Sequence, residues 1–368
     1  MLSVRAAISM LVTFAGLAAC AAGDDAPPAT PSTPDDRHAA DERRPDDATP
    51  EEVLEPSRVS DAPGPSEPGP PDDDPDRDAD PNAPSPPEDP AMPPATQDQL
   101  VKKFAPHVHL HPDDAYRPAN VDWYLARVKM RFHHANCPDH ELLPVGKVTQ
   151  QTLISQTHEE NKSLCRHDSS KKVSSTSSEN FFLEVADHAT YAGAPRSQWK
   201  TYVVWRPKSG GLVDIEYWFF YPYNDGFALF NHESDWEHVR VTIDPKAKGG
   251  QGEAVEVKMS AHKGGTILKP GDARLTMVDG THPVAYSAKG THANYPKPGT
   301  YPIEGTAGIA KDVAAAAPPA DVWKTETSLV QVGTRAAPKN GQVFIKYWGR
   351  WGELGDLPET NGVTRHFP

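Results

Sequence analysis

Tyr217-Trp218-Phe219-Phe220-Tyr221-Pro222-Tyr223-Asn224-Asp225, then after a short loop Asn231-His232-Glu233-Ser234-Asp235-Trp236-Glu237-His238, is the stretch on which the reading of this chain turns. The sequence continues Val239-Arg240-Val241-Thr242-Ile243, an alternation that predicts a β-strand after the aromatic one. Successive side chains on a strand point to opposite faces, so Asp235 and Glu237 share a face with Val239, Val241 and Ile243. Two carboxylates on an apolar face need a positive partner, because burying them unpaired is costly. Asp225 closes the aromatic strand and His232 opens the next, which makes Asp225, His232, Asp235 and Glu237 candidate ligands for a divalent cation. Carboxylates with one imidazole suit a hard ion such as Ca²⁺ or Mg²⁺, and Zn²⁺ also accepts this donor set. The competing reading pairs the same carboxylates with Arg or Lys, or leaves them in water at the edge of a sheet.

Outward from this stretch, strands dominate. Val108–Leu110, Phe181–Val185, Lys200–Trp205, Val213–Tyr221, Trp236–Ile243, Ala254–Ala261, Val284–Ser287 and Gln342–Trp348 carry strand patterns, separated by turn formers such as Lys248-Gly249-Gly250. Short helices are expected at Val121–Val128 and at Ala307–Ala317. Many short strands with few helices predict a mainly β protein, a β-sandwich of antiparallel sheets with short helices and long loops. The aromatic run Tyr217–Tyr223 reads as core in such a fold. No internal repeat is visible.

The first hundred residues are a different kind of polymer. Arg5 and the apolar run Ile8–Leu17, too short to span a membrane, read as a signal sequence. Leu17-Ala18-Ala19-Cys20 resembles the lipobox of bacterial lipoproteins, so residues 1–20 are expected to end in a lipidated Cys20 that anchors the chain to the cell envelope. Ala21 after the cysteine favours the outer membrane over the inner one. Residues 21–98 hold 20 of the 39 prolines and 22 acidic residues against 5 basic ones, with no aromatic side chain. Such a segment buries too little apolar surface to offset chain entropy and reads as a disordered, extended tether. It accounts for the formal charge of −14, since 99–368 carries 31 basic and 29 acidic residues. That near-neutral domain has no basic block, which excludes a nucleic-acid partner. In an exported chain, Cys137 and Cys165 are expected to form a disulfide.

Other chemistry is sparser. His107, His109 and His111 alternate onto one strand face, which allows either an i, i+2 metal chelate or a solvated edge with Val108 and Leu110 behind it; the solvated edge is the expectation. Gly290-Thr291-His292 presents a histidine at a turn that is able to reach the Asp235 site. No serine sits in a nucleophile elbow and no phosphate-binding glycine loop occurs.

Phe104-Ala105-Pro106, Leu110-His111-Pro112-Asp113, Trp123-Tyr124, Trp218-Phe219-Phe220-Tyr221-Pro222-Tyr223, Asp235-Trp236-Glu237-His238-Val239, Gly290-Thr291-His292-Ala293-Asn294-Tyr295-Pro296 and Gly349-Arg350-Trp351-Gly352 occur in that order. Together they resemble the vacuolar-protein-sorting-sixty-two-related family across 101–355. More distantly, His232, Asp235 and Glu237 match the heptapeptide of the necrosis- and ethylene-inducing-like proteins, with Glu233-Ser234 in place of that family's Arg-His. That resemblance implies a divalent cation at these positions and a lectin-like sandwich that engages membrane glycolipids.

The expectation is therefore a lipid-anchored binding module with a divalent-cation site, engaging glycans or lipid headgroups. The first alternative is a metal-dependent hydrolase in which His238 or His292 serves as general base. The second is a structural envelope lipoprotein.

Overall fold

The computed structural model describes residues 95–353, apart from 135–136, 161–168, 173–179, 227–230, 263, 304–305 and 307. All of them lie in one compact unit, Asn82–Pro368. Cys20, residues 21–94 of the expected tether and Cys165 fall outside the described residues. No described helix is long and apolar enough to cross a membrane.

The fold is the predicted β-sandwich, with additional smaller sheets. Six strands form the main sheet in the order Gly264–Leu268, Glu253–Ala261, His232–Asp244, Val213–Asn224, Thr201–Pro207 and Leu329–Gln331. All neighbours are antiparallel except the last, which joins Thr201–Pro207 in parallel. The second sheet runs Met277–Val278, His282–Ser287, His107–Leu110 and Trp323–Lys324, with Asn294–Tyr295 folded back onto His282–Ser287. A third sheet of Cys137–Leu143, Val128–His134 and Phe181–Val185 completes the larger layers.

The hairpin of Val213–Asn224 and His232–Asp244 lies in the middle of the main sheet and is covered on both faces. Tyr217, Phe219, Phe220 and Tyr221 are fully buried, as the aromatic run predicts. One face turns to the helix Gln97–Lys103, where the Tyr217 hydroxyl donates to the Val101 carbonyl at 2.8 Å. That helix opens with a reciprocal Thr96–Gln99 capping box, which satisfies backbone donors that its first turn leaves unpaired. On the other face Trp236, Phe220, Tyr202, Phe344 and Trp351 interlock, mostly at tilted and edge-on angles with Trp236 and Phe344 nearly parallel, with centroids 4.8–5.8 Å apart. Each of these side chains removes a large apolar area from water, the dominant stabilising term.

Three local expectations are corrected. Where a helix is expected over Ala307–Ala317, the described residues 308–317 form none; Lys311–Ala314 is a strand paired with Gly299–Pro302, its residues alternately exposed and buried. Tertiary demand wins over the helix propensity of alanine there, because Asp312 must face inward. Gln342–Trp348 holds a 3₁₀ turn at Val343–Lys346, where Phe344 and Ile345 plug the core. The short helix at Val121 stops at Leu125, and Val128 begins a strand.

The histidine strand is not a solvated edge. His107–Leu110 sits between His282–Ser287 and Trp323–Lys324, with His107 and His111 buried. His109 stacks on Tyr286 and accepts the Ala317 amide at Nδ1, and His111 accepts the Asp113 amide at Nδ1. Three rings on one face are thus used separately.

Candidate functional site

The main hairpin, the turn at Gly290 and the strand Lys311–Ala314 meet at one end of the sandwich, and there the chain buries four carboxylates. Asp114, Asp235, Glu237 and Asp312 are each less than a tenth exposed. Asp235 faces Tyr221 across the hairpin, and Glu237 faces Phe219, which puts both acids on the inner face with Val239, Val241 and Ile243.

The turn Gly290-Thr291-His292 supplies the partners. Gly290 and His292 both adopt left-handed backbone, φ +77° and +57°. Only glycine fits the first of these positions, because a Cβ there would overlap the Asp225 carbonyl. The Gly290 amide donates to Asp114 Oδ2 at 3.2 Å, and its carbonyl accepts the Asp225 amide at 2.9 Å. His292 is wholly buried, stacked flat on Tyr221 with centroids 3.7 Å apart. Its Nδ1 lies 3.0 Å from Asp235 Oδ2, while Nε2 makes no hydrogen bond and stands 3.6 Å from Asp114 Oδ2. The structure thereby brings His292 to Asp235.

Asp312 gathers three donors: Thr291 Oγ1, the Tyr295 hydroxyl and His262 Nε2, each at 2.6 Å. Burial alone would lower the His262 pKa, but the hydrogen bond and charge of Asp312, with Glu237 and Asp235 beyond, lift it above the usual imidazole value. Burial would raise the Asp312 carboxyl, and the bonds from His262, Thr291 and Tyr295 outweigh it and hold the group below the usual range. Ser260 Oγ donates to Glu237 and accepts the His238 amide at 2.8 Å. Asn294, also fully buried here, has neither side-chain polar atom hydrogen-bonded.

The other predicted residues lie further out. Asp225 is exposed and meets the Tyr116 hydroxyl. His232 is half-buried, with Nδ1 2.7 Å from the Ser234 carbonyl. His238 stacks on Trp218 at 4.3 Å, on the face of its strand opposite to Asp235 and Glu237. Among the described residues, the three His, Asp or Glu side chains whose donor atoms all lie within 4.8 Å of one another are His107, His282 and Glu326. That group can hold a metal ion and involves none of Asp225, His232, Asp235 and Glu237.

Sequence reasoning missed Asp114 and Asp312 at this end, and Glu233 beside it, while His262, which precedes a glycine turn much as His292 follows one, was a weaker candidate of the same kind. Ser234, with φ +57°, separates Glu233 from Asp235 in backbone conformation. Glu233 accepts the amides of Val185 and Glu353 and the Tyr191 hydroxyl, at 3.0–3.2 Å. Burial outweighs those bonds and pushes its pKa up to about 7. No local pattern marks these residues, since their partners come from distant segments.

Beside the acidic end, a cleft of about 540 Å³ is bordered by Asp225, Lys289, Thr291, Ile303 and Lys311. Comparison with known proteins gives the family. The family model described as vacuolar protein sorting-associated protein 62 matches residues 85–148 and 176–354. Vacuolar protein sorting-associated protein 62 of Saccharomyces cerevisiae is 28% identical over 224 residues, 55% of this chain and 46% of the yeast protein. The chain spans about half the length of the curated relatives it matches. A solved structure described as "Toxin fold as basis for microbial attack and plant defense" overlaps 71% of this chain and 82% of its own, at 15% identity and a TM-score of 0.34. Another, "NLPPya in complex with glucosamine", overlaps 73% and 86%, at 13% identity and 0.32. Overlaps this loose leave function to be argued from the residues above.

Proposed function

This chain belongs to the vacuolar protein sorting-associated protein 62 family, and we propose that it is a binding module whose acidic end takes a divalent cation. The observation that carries the reading is the burial of Asp114, Asp235, Glu237 and Asp312 around only two imidazoles, His262 and His292. Four buried carboxylates against at most two positive charges leave a net negative pocket, and a bound cation relieves the cost of desolvating it. The residues present fit such an ion: the donors are hard carboxylate oxygens, and both polar atoms of Asn294 are buried without a hydrogen bond. Asp235 and Glu237 would hold it, with Asn294 Oδ1 as a neutral oxygen; Ca²⁺ and Mg²⁺ match these donors better than Zn²⁺. Asp225 and His232 stand at the rim.

The adjoining cleft suits an anionic ligand, since Lys289 and Lys311 border it. Acidic sugars of a glycan, or lipid headgroups, carry the matching charge and hydroxyls. A lipidated Cys20 and the proline-rich segment 21–98 would hold the module to the cell envelope at a distance from the membrane. The binding reading is preferred to hydrolysis because His292 is sealed between Tyr221 and Asp235, out of a substrate's reach, and His238 faces the other way.

The test is thermal unfolding of the intact chain with Ca²⁺, Mg²⁺ or Zn²⁺, beside Asp235→Asn. A melting temperature that rises with Ca²⁺ or Mg²⁺ in the wild type and not in the variant supports the site. Binding to anionic vesicles or acidic glycans that needs the same ion then supports the ligand class. No response to either ion in the wild type removes the cation from the proposal.

A further inference from the structure

The second sheet carries a different set of donors. His107 lies on the strand His107–Leu110, His282 begins the neighbouring strand, and Glu326 lies in the 3₁₀ turn Thr325–Thr327 that follows the strand on the other side. The two imidazoles stack with centroids 4.7 Å apart and planes 19° from parallel, and donor atoms of all three residues lie within 4.8 Å of one another.

Their hydrogen bonding prepares them for a ligand. His282 Nδ1 is 2.7 Å from the Ala105 carbonyl. A carbonyl only accepts, so Nδ1 carries the proton and the neutral ring presents its lone pair at Nε2. His107 is more than nine-tenths buried, and its Nε2 has no hydrogen-bond partner. Glu326 Oε2 is likewise buried and without one. Glu326 Oε1 stands 3.4 Å from His107 Nε2, longer than the roughly 2.7–2.9 Å of a charge-assisted bond. Neutral imidazole is the ligand form.

We infer that His107, His282 and Glu326 form a binding site for a divalent transition ion of the zinc class, joining three strands of the second sheet. Two imidazoles and one carboxylate are a borderline-soft donor set, unlike the all-oxygen acidic end. Zinc–ligand bonds of about 2.1 Å put tetrahedral donors roughly 3.4 Å apart, so the group contracts by about 1.4 Å or less on binding. Three protein donors leave a fourth position for water. The site shares no residue with the acidic end and stands independently of the function proposed for it.

The experiment is calorimetric titration of the chelator-treated intact chain with Zn²⁺ and with Co²⁺, with metal content measured after dialysis. His282→Ala and Glu326→Gln are run beside it, with Asp235→Asn as the control. One zinc per chain is expected, with affinity falling by more than about tenfold in His282→Ala and in Glu326→Gln and unchanged in Asp235→Asn. Glu326→Gln keeps shape and volume if His282→Ala misfolds. Independently of any variant, X-ray absorption of the zinc-loaded wild type should show two imidazoles in the first shell. A wild type that binds no zinc, equal affinity in both seam variants, or a shell of oxygen alone overturns the inference.

Discussion

The acidic end and the histidine seam both gather ionisable groups where the sandwich closes, and they satisfy them in opposite ways. At the acidic end the carboxylates already have donors: Asp312 takes three, Asp235 takes His292, and Glu237 takes Ser260. At the seam, His107 Nε2 and Glu326 Oε2 are buried and make no hydrogen bond. The first arrangement holds its shape through internal bonds and carries excess negative charge. The second is close to neutral and geometrically incomplete. Similar residue types thus produce a negative pocket braced by internal bonds in one place and a preformed chelate in the other, and the difference lies in which of their polar atoms already have hydrogen-bond partners.

The largest effect that would sharpen this contrast comes from Asp312→Ala. It removes the acceptor shared by His262, Thr291 and Tyr295, and should cost about 3–5 kcal/mol in urea unfolding while zinc affinity at the seam stays unchanged. A loss near zero would mean that the acidic end does not depend on its own bonds.

Next in size is a pH effect at Glu233, a carboxylate satisfied like those of the acidic end but titrating near neutrality. Its folded pKa of about 7 lies above the unfolded value of 4.5, so the native state binds more protons between them. Stability is therefore greatest below pH 4.5 as far as this group is concerned, and falls as pH rises through 7, by up to about 3 kcal/mol. Unfolding curves at several pH values, with Glu233→Gln flattening the trend, check it.

Gly290→Ala should cost about 1–2 kcal/mol from left-handed backbone alone, and more from the overlap with the Asp225 carbonyl. Because this turn carries His292 to Asp235, the variant should also lose the Ca²⁺ or Mg²⁺ response while keeping the zinc response. Equal loss of both would erase the distinction between the two sites.

The smallest effect is at His262. Its pKa is raised in the fold, so the stabilisation it draws from Asp312 is complete below its unfolded pKa and disappears as pH rises through the folded value. A histidine proton resonance titrating above the usual range, and returning to it in Asp312→Asn, is the readout.

The hairpin was legible because alternation and aromatic content are local. The burial of Asp235 and Glu237 beside Val239, Val241 and Ile243 follows from period two alone. The rest depends on contacts that no window contains. Asp312 is drawn inward by His262, Thr291 and Tyr295, and this turns an alanine-rich segment that reads as helix into a strand. Likewise His107 reads as an edge residue until His282 and Glu326 arrive beside it from the other end of the domain. His107, His109 and His111 do not form one solvated face, because strands flank theirs on both sides and each ring has a separate partner.

The parallel pairing of His107–Leu110 with His282–Ser287 sets a clock on folding. His107 is matched with Val284, so the strand finds this neighbour only after most of the domain has emerged. Until then its backbone donors and acceptors form an open edge, the kind of surface that recruits other unfolded chains. The second sheet therefore closes late, and a factor that keeps the early strand apart from other chains until its partner arrives should raise the yield of folded protein.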